Sequence, residues 1–420
     1  MHSPSLSRIA FASFIGTAIE FYDFYIYAMA AALVIGQVFF PGSDPAAQSL
    51  NALLTFGLAF IARPVGALLF GHFGDRIGRK STLAASLLVM GTSTFLIGLL
   101  PGYATWGIWA PICLCFLRFG QGIGLGGEWA GAALLATEYA PPGKRGWYGM
   151  FPQLGPSIGF LLATLTFLGL SLGLSEQQFE QWGWRVPFII SAALVMVGLY
   201  VRFKLAETPV FAQAKSSEHL HRWPLKDLVF QHGRAIVLGA LAMAVCYHLF
   251  YTATVFCLSY GTQTLHIARP VFLALLCIAV IGMAIATPFA AWWSDRVGRR
   301  PVLMCGHLLA IVLGFTLTPM LGSGDWLWIL LFLFASLFLM GVTFAPMGAF
   351  LPEQFPVAVR YSGAGLSYQL GGILGASFAP AIAQSLVQHG GLPWVGGYMS
   401  LMAVISLLAV WQMPSNAHSV

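Results

Sequence analysis

The feature that most constrains this chain is a loop motif that occurs twice. Gly71-His72-Phe73-Gly74-Asp75-Arg76-Ile77-Gly78-Arg79-Lys80 returns as Trp292-Trp293-Ser294-Asp295-Arg296-Val297-Gly298-Arg299-Arg300. An acidic segment follows each copy: Glu138-Tyr139-Ala140-Pro141 with Arg145, then Glu353-Gln354-Phe355-Pro356 with Arg360, the Arg seven residues after the Glu in both. The offset is 220 residues for the first pair and 215 for the second, in a chain of 420. Two mostly apolar halves built on one plan point to a transporter in which one half rocks against the other.

Composition says what solvent surrounds those halves. Charged residues are 8% of the chain, against roughly 25% in soluble domains. Hydrophobic residues make up 58% and the mean hydropathy is +0.80. A soluble fold of this length cannot hide so much apolar surface, so lipid is the expected solvent. The net charge of +6 does not indicate nucleic acid, because the basic residues are confined to particular loops instead of forming one patch. The six cysteines all fall in apolar segments without metal-ligand spacing and read as buried, unreactive thiols. Glu20 and Asp23 interrupt the first apolar stretch, which is too long for the core of a cleavable signal.

Stretches of about 20 apolar residues are long enough to span a bilayer, and twelve are found: 10–39, 49–71, 82–101, 106–137, 147–171 and 186–204, then 234–260, 270–293, 301–320, 326–351, 362–388 and 392–413. The expected fold is therefore an all-α integral membrane protein of twelve transmembrane helices in two pseudo-symmetric six-helix bundles. The expected units are 1–204, a cytoplasmic linker 205–232 with room for a short surface helix, and 233–420. With the N-terminus inside, sixteen of the twenty Lys and Arg fall on the cytoplasmic side, Arg185 and Arg269 fall outside, and Arg63 and Arg118 lie within spans. That bias predicts both termini in the cytoplasm.

Charges inside a span are costly and by default mark function. Span one places Glu20, Asp23 and Tyr27 at i, i+3, i+7, on one face. Span four carries Arg118, Gln121 and Glu128, the last two seven apart and on one face. Asp23 and Arg118 sit near the middle of their spans, and a carboxylate facing a guanidinium lets protonation and anion binding compete. A proton on Asp23 would free Arg118 for a substrate carboxylate. Proton coupling is thus expected at Asp23, Glu20 and Glu128, and substrate binding at Arg118, Gln121 and Tyr27. The competing reading is that these charges are fixed buried pairs that orient the helices. Arg63, about 12 Å from Gly71 along a helix, either lines the cavity or pairs with a carboxylate near the gate. In the second half, His248, Tyr251 and Thr252 share a face, with Tyr247 beside them, and can line the far wall, His248 as a proton carrier or simply hydrogen-bonded.

The loop motif has its own physics. Its glycines permit tight turns. Asp75 can face a helix N-terminus or an Arg, while Arg79 and Arg145 can pair with Glu138; Asp295, Arg299, Glu353 and Arg360 repeat the set. Ion pairs that form on cytoplasmic closure and break on opening make a latch. Static surface charges explain part of the basic content but not the in-register duplication of the acids.

Together these residues resemble the major facilitator superfamily, whose loop signature matches Gly71–Lys80 and more loosely Trp292–Arg300. Four further segments resemble its metabolite–proton symporter family, which carries shikimate, 2-oxoglutarate, citrate and proline/betaine. They are Ala18-Ile19-Glu20-Phe21-Tyr22-Asp23-Phe24; Arg118-Phe119-Gly120-Gln121-Gly122 through Gly126-Gly127-Glu128-Trp129; Gln181-Trp182-Gly183-Trp184-Arg185-Val186-Pro187-Phe188; and Arg360-Tyr361-Ser362-Gly363-Ala364-Gly365 with Tyr368-Gln369. The resemblance covers the whole chain and implies a central site with proton-coupled uptake. Phe21 stands where that family often has Trp, and Ala376-Ser377 where it often has a Gly pair, so the cavity can differ. The long tail of osmosensing proline/betaine members has no counterpart after Pro414.

The expected activity is proton-driven symport of a small carboxylate-bearing metabolite, an organic acid or a zwitterion, by alternating access in a bacterial inner membrane. No cofactor beyond the proton gradient, no nucleic acid and no obligate protein partner is implied. Proton antiport, exporting a metabolite or drug, is the alternative raised by Gly155-Pro156-Ser157-Ile158-Gly159. An integral-membrane enzyme would need a metal-ligand or catalytic cluster such as His-Glu-x-x-His, which is absent from the sequence, and a non-transporting sensor would need a signalling domain.

Overall fold

Apolar runs in lipid must satisfy their backbone groups internally, so each becomes a helix. The computed structural model describes the backbone of residues 6–42, 44–77, 79–138, 140–204, 224–356 and 359–415. Side chains are described for all of these except 6–9, 12–13, 71–83, 131, 134–135, 138, 202, 204, 224–227 and 361. Among the described residues there is no strand. The first half holds α1 Phe14–Phe39, α2 Pro45–Phe70, α3 Ala84–Leu99, α4 Trp109–Leu125, α5 Arg145–Gly173 and α6 Gly183–Val201. The second holds α7 Leu228–Gln263, α8 Arg269–Val297, α9 Arg299–Leu321, α10 Trp326–Glu353, α11 Ser362–Gly390 and α12 Leu392–Gln412. Ten are long and apolar enough to cross a membrane, and α3 and α4 are shorter apolar helices.

Two features depart from uniform spans. The stretch expected as one helix over 106–137 is broken: α4 ends at Leu125 and a second helix runs Trp129–Glu138. Gly126 at the break is pressed on the Arg63 carbonyl and the Ala67 amide of α2, a close approach that apolar periodicity does not reveal. The second feature is π-helical winding at Ala31–Ile35 in α1, Thr252–Phe256 in α7 and Ile373–Ser377 in α11. The first two occupy corresponding places in the two halves, 221 residues apart (252 − 31).

Small residues bring the helices together, as is usual where lipid leaves no hydrophobic drive between them. A Cβ on Gly155 of α5 would lie 2.6 Å from Thr17 of α1, and one on Gly159 would lie 2.7 Å from the Ala18 carbonyl. Gly371 and Gly375 of α11 meet Met243 and Ala244 of α7 in the same way, 216 residues later in both cases. The most apolar window of α1 is 100% buried and that of α7 78%, against 33% for α6. The helices α1 and α7 therefore run through the centre, with α6 on the lipid-facing edge.

The linker expected over 205–232 lies outside the described residues up to 223; from Pro224 the chain is helical, with a non-helical turn at His232 (φ −122°, ψ 18°). All six cysteines are free, but only Cys246 and Cys257 are buried. Cys113, Cys115, Cys277 and Cys305 are half-buried, which corrects the expectation of six core thiols: an apolar segment in lipid has an outer face as hydrophobic as its inner one.

Candidate functional site

The two halves meet around a small aromatic cavity lined by Phe21, Tyr25 and Pro156 from the first half and by Tyr247, Phe250, Tyr251, Met340, Phe344 and Tyr368 from the second. Its wall continues through Phe24, Phe56 and Phe60, with the Phe60 and Tyr251 centroids 5.3 Å apart. The Arg63 guanidinium lies in this cluster, 4.5 Å from the Phe24 ring centroid and 4.4 Å from that of Phe60. It is 1% exposed, and its Nε and Nη2 have no hydrogen-bond partner. Of the two places the sequence left open for Arg63, the structure favours the cavity.

Arg118 is equally buried but held on all three nitrogens. Nη2 donates to the Phe56 carbonyl at 2.7 Å, Nε to that of Thr55 at 3.3 Å and Nη1 to Gln121 Oε1 at 2.6 Å. Gln121 in turn donates to Thr94 at 2.8 Å. Tyr27 lies beneath the guanidinium, 3.8 Å from ring centroid to Cζ, with its hydroxyl 2.6 Å from Thr55 Oγ1. Arg118, Gln121 and Tyr27 thus form one closed network inside the first half.

Asp23 does not face Arg118 in an ion pair. It accepts a 2.6 Å hydrogen bond from Ser191 of α6, and its Oδ2 has no partner. Three residues at helical spacing can point to three neighbours when the helix is buried on every side, and α1 is. Glu20 is buried one turn earlier. Glu128 sits in the break after α4 and accepts from Ser86 at 2.8 Å, so the continuous face expected for Gln121 and Glu128 is interrupted.

In the second half Tyr251 lines the cavity, but His248 points into its own bundle. Its ring lies 4.5 Å from that of Tyr398, and a ring nitrogen is 3.3 Å from Thr252. Tyr247 lines the cavity as well, 4% exposed and with its hydroxyl unpartnered. The sequence places it beside the face of His248 and Tyr251, but spacing alone does not show that it, and not His248, turns to the cavity.

Both ends of the cavity are closed by contacts between halves. On the loop-motif side Trp129 stacks on Tyr368 at 3.9 Å and 5°, and donates to Gln153 at 2.8 Å. Gln153 donates onward to the Phe344 carbonyl at 3.0 Å, and Gln369 to the Gly126 carbonyl at 3.1 Å. Below this layer lie the charged residues expected to form the latch. Asp295 at the end of α8 accepts from the amides of Gly146 and Trp147 at 2.9 and 2.8 Å, which places a carboxylate on the N-terminus of α5. Arg299 bridges Asp295 at 2.8 Å and Glu353 at 3.4 Å. Gly298 turns the chain between α8 and α9 at φ +98°, a conformation that favours glycine. Arg145 opens α5 and Arg360 donates to the Phe355 carbonyl at 3.2 Å. The side chains of Asp75, Arg79 and Glu138 lie outside the described residues. On the opposite side Gln263 of α7 binds Ser49 and donates to the Ala32 carbonyl at 3.2 Å, while Ser377 donates to the Gly57 carbonyl at 2.9 Å.

Residues 9–231 match the family described as Sugar (and other) transporter, and residues 240–419 match the Major Facilitator Superfamily. The chain belongs to the major facilitator superfamily. Within this superfamily it is 52% identical over 419 residues to the inner membrane metabolite transport protein YhjE of Escherichia coli K12, covering 99% of this chain and 95% of that one. It is 38% identical over 422 residues to the shikimate transporter of the same strain, covering 97% and 94%. A proline/betaine transporter of Salmonella typhimurium LT2 is 34% identical over 428 residues, covering 98% and 84%. The fold is shared with the E. coli xylose transporter XylE in a partially occluded inward-open state, at a TM-score of 0.79 and 18% identity, over 99% of each chain. The protein is thus a multi-pass membrane transporter with the twelve-helix major facilitator fold.

Both departures from the symporter family pattern fall at contacts between the two halves. Phe21 lines the cavity, and Ser377 makes a hydrogen bond between the halves. Tyr25, Trp129, Gln153, Gln263 and Ser191 were not picked out from the sequence as site residues. The usable signal was the amide or hydroxyl on a lipid-length helix, since such a group must find a partner inside the protein.

Proposed function

We infer that this transporter takes up a small carboxylate-bearing metabolite together with protons, across a bacterial inner membrane, with both termini and both motif loops in the cytoplasm. The observation that carries the reading is Arg63, a buried cation without a carboxylate partner among the described residues, packed on Phe24 and Phe60 beside the aromatic cavity between the two halves. A buried unpaired charge is costly, and a substrate carboxylate entering the cavity would offset that cost. Asp23 supplies the second element, a buried carboxyl held by one hydroxyl and no cation, able to gain and lose a proton without dismantling a salt bridge. The relatives named for metabolite, shikimate and proline/betaine transport support the same class. Alternating access then follows from the closed layers at each end of the cavity: one opens while the other holds.

Export by antiport draws less support, because Gly155 and Gly159 are accounted for by the packing of α5 on α1. The test is uptake into proteoliposomes with and without an inward proton gradient, using 2-oxoglutarate, citrate, shikimate, succinate and a betaine. Gradient-dependent accumulation of one compound is expected. Extrusion under the same gradient would overturn symport.

A further inference from the structure

The polar groups on the cavity wall and directly beside it limit what it can hold. Arg63 presents two unpartnered nitrogens, Nε and Nη2, and Tyr247 an unpartnered hydroxyl; both side chains are more than nine-tenths buried. Both pack on Phe60, whose centroid is 4.4 Å from the guanidinium and 6.4 Å from the Tyr247 ring. The Nε–Nη2 edge of a guanidinium matches the two oxygens of one carboxylate. The other fully buried guanidinium among the described residues, Arg118, already donates from each of its nitrogens. The rest of the wall is apolar or aromatic, its further polar atoms being the hydroxyls of Tyr25, Tyr251 and Tyr368.

We propose that the substrate is anchored by a single carboxylate on Arg63 Nε and Nη2 with the Tyr247 hydroxyl, its body an apolar or ring-shaped group against the aromatic wall. This rests on the reading of the chain as a carrier of carboxylates and narrows it. A second or third carboxylate meets no further cation among the described residues that line the cavity. The quaternary ammonium of a betaine must share the aromatic box with a guanidinium already over Phe24 and Phe60, so like charges oppose it.

The test is gradient-free binding to the purified protein in lipid nanodiscs by titration calorimetry, with shikimate, benzoate, succinate, 2-oxoglutarate, citrate and glycine betaine as probes. A singly charged ring acid is expected to bind about tenfold or more tighter than the others. Arg63→Gln is expected to weaken it by about tenfold to a hundredfold, and Tyr247→Phe by a smaller factor. Arg63→Lys, which keeps the charge and loses the fork, tests the geometry should Arg63→Gln fold poorly. Tightest binding of a dicarboxylate, tricarboxylate or betaine overturns the proposal, as does unchanged affinity in Arg63→Lys and Tyr247→Phe. Citrate accumulating under a proton gradient would leave symport standing and overturn the single-carboxylate site. A ring acid that binds at Arg63 yet is not driven by protons would do the reverse.

Discussion

Asp23 and Arg118 look alike in the sequence, each a charge in mid-span, yet their surroundings give them opposite prospects. Asp23 has one bond, from Ser191, and a free Oδ2. Asn in its place still accepts from Ser191 through its carbonyl, so Asp23→Asn should fold, lose gradient-driven accumulation and keep substrate exchange in a counterflow assay; unchanged accumulation would remove Asp23 from the coupling role. Arg118 instead binds two backbone carbonyls and Gln121 at once. A Lys cannot reach all three, and each buried acceptor left bare costs about 1–3 kcal/mol. Arg118→Lys should therefore lower both the melting temperature and transport, whereas Arg63→Lys should lower substrate binding with little change in melting. Equal melting of the two variants would sink the distinction. The sequence alone could not separate these arginines, since spacing along a helix does not show which carbonyls of a neighbour come within reach. His248 and Tyr247 make the same point from adjacent positions, one turned to Tyr398 and the other to the cavity.

At the scale of the helix, periodicity and length located nearly every span, because a lipid-facing helix must be long, apolar and continuous. They missed the break after Leu125 and the three π-helical segments, which depend on contacts between helices rather than on composition within one. Glycine reports such contacts only when its neighbour is known. Within α5, a Cβ on Gly159 would lie 2.7 Å from the Ala18 carbonyl and 2.9 Å from the Tyr22 amide, while a Cβ on Gly169 would meet nothing within 4 Å. Backbone cannot yield as a flexible side chain can, so Gly159→Ala should destabilise the fold by about 1–3 kcal/mol. Gly169→Ala should be neutral or slightly stabilising through its better helix propensity. Thermal unfolding of the two variants in the same detergent reads the contrast, and identical melting would mean that α1 and α5 are free to separate at Gly159.

For the whole molecule, the duplicated loops matter because they act across the boundary between halves. Asp295 belongs to the second half and caps the N-terminus of α5 in the first, so breaking it weakens the closure of the loop-motif side alone. Gln263 belongs to the second half and binds Ser49 and Ala32 of the first at the other end, so breaking it releases only that side. If the halves rock as bodies, these contacts oppose each other in one equilibrium. Asp295→Asn loses the charge on the helix end and the bond from Arg299, worth about 1–2 kcal/mol, or roughly tenfold in the ratio of states. Spin labels at Lys144 and Arg296, both exposed on the motif side, should move apart in Asp295→Asn. Labels at Ala46 and Thr264, exposed at the other end, should move apart in Gln263→Leu. The double variant should return the populations towards those of the unaltered protein, since each substitution removes a restraint on one side of the same balance. Distances that widen at both ends together in the double variant would show that the ends open independently, and the latch would then be two local contacts and no part of a rocking cycle.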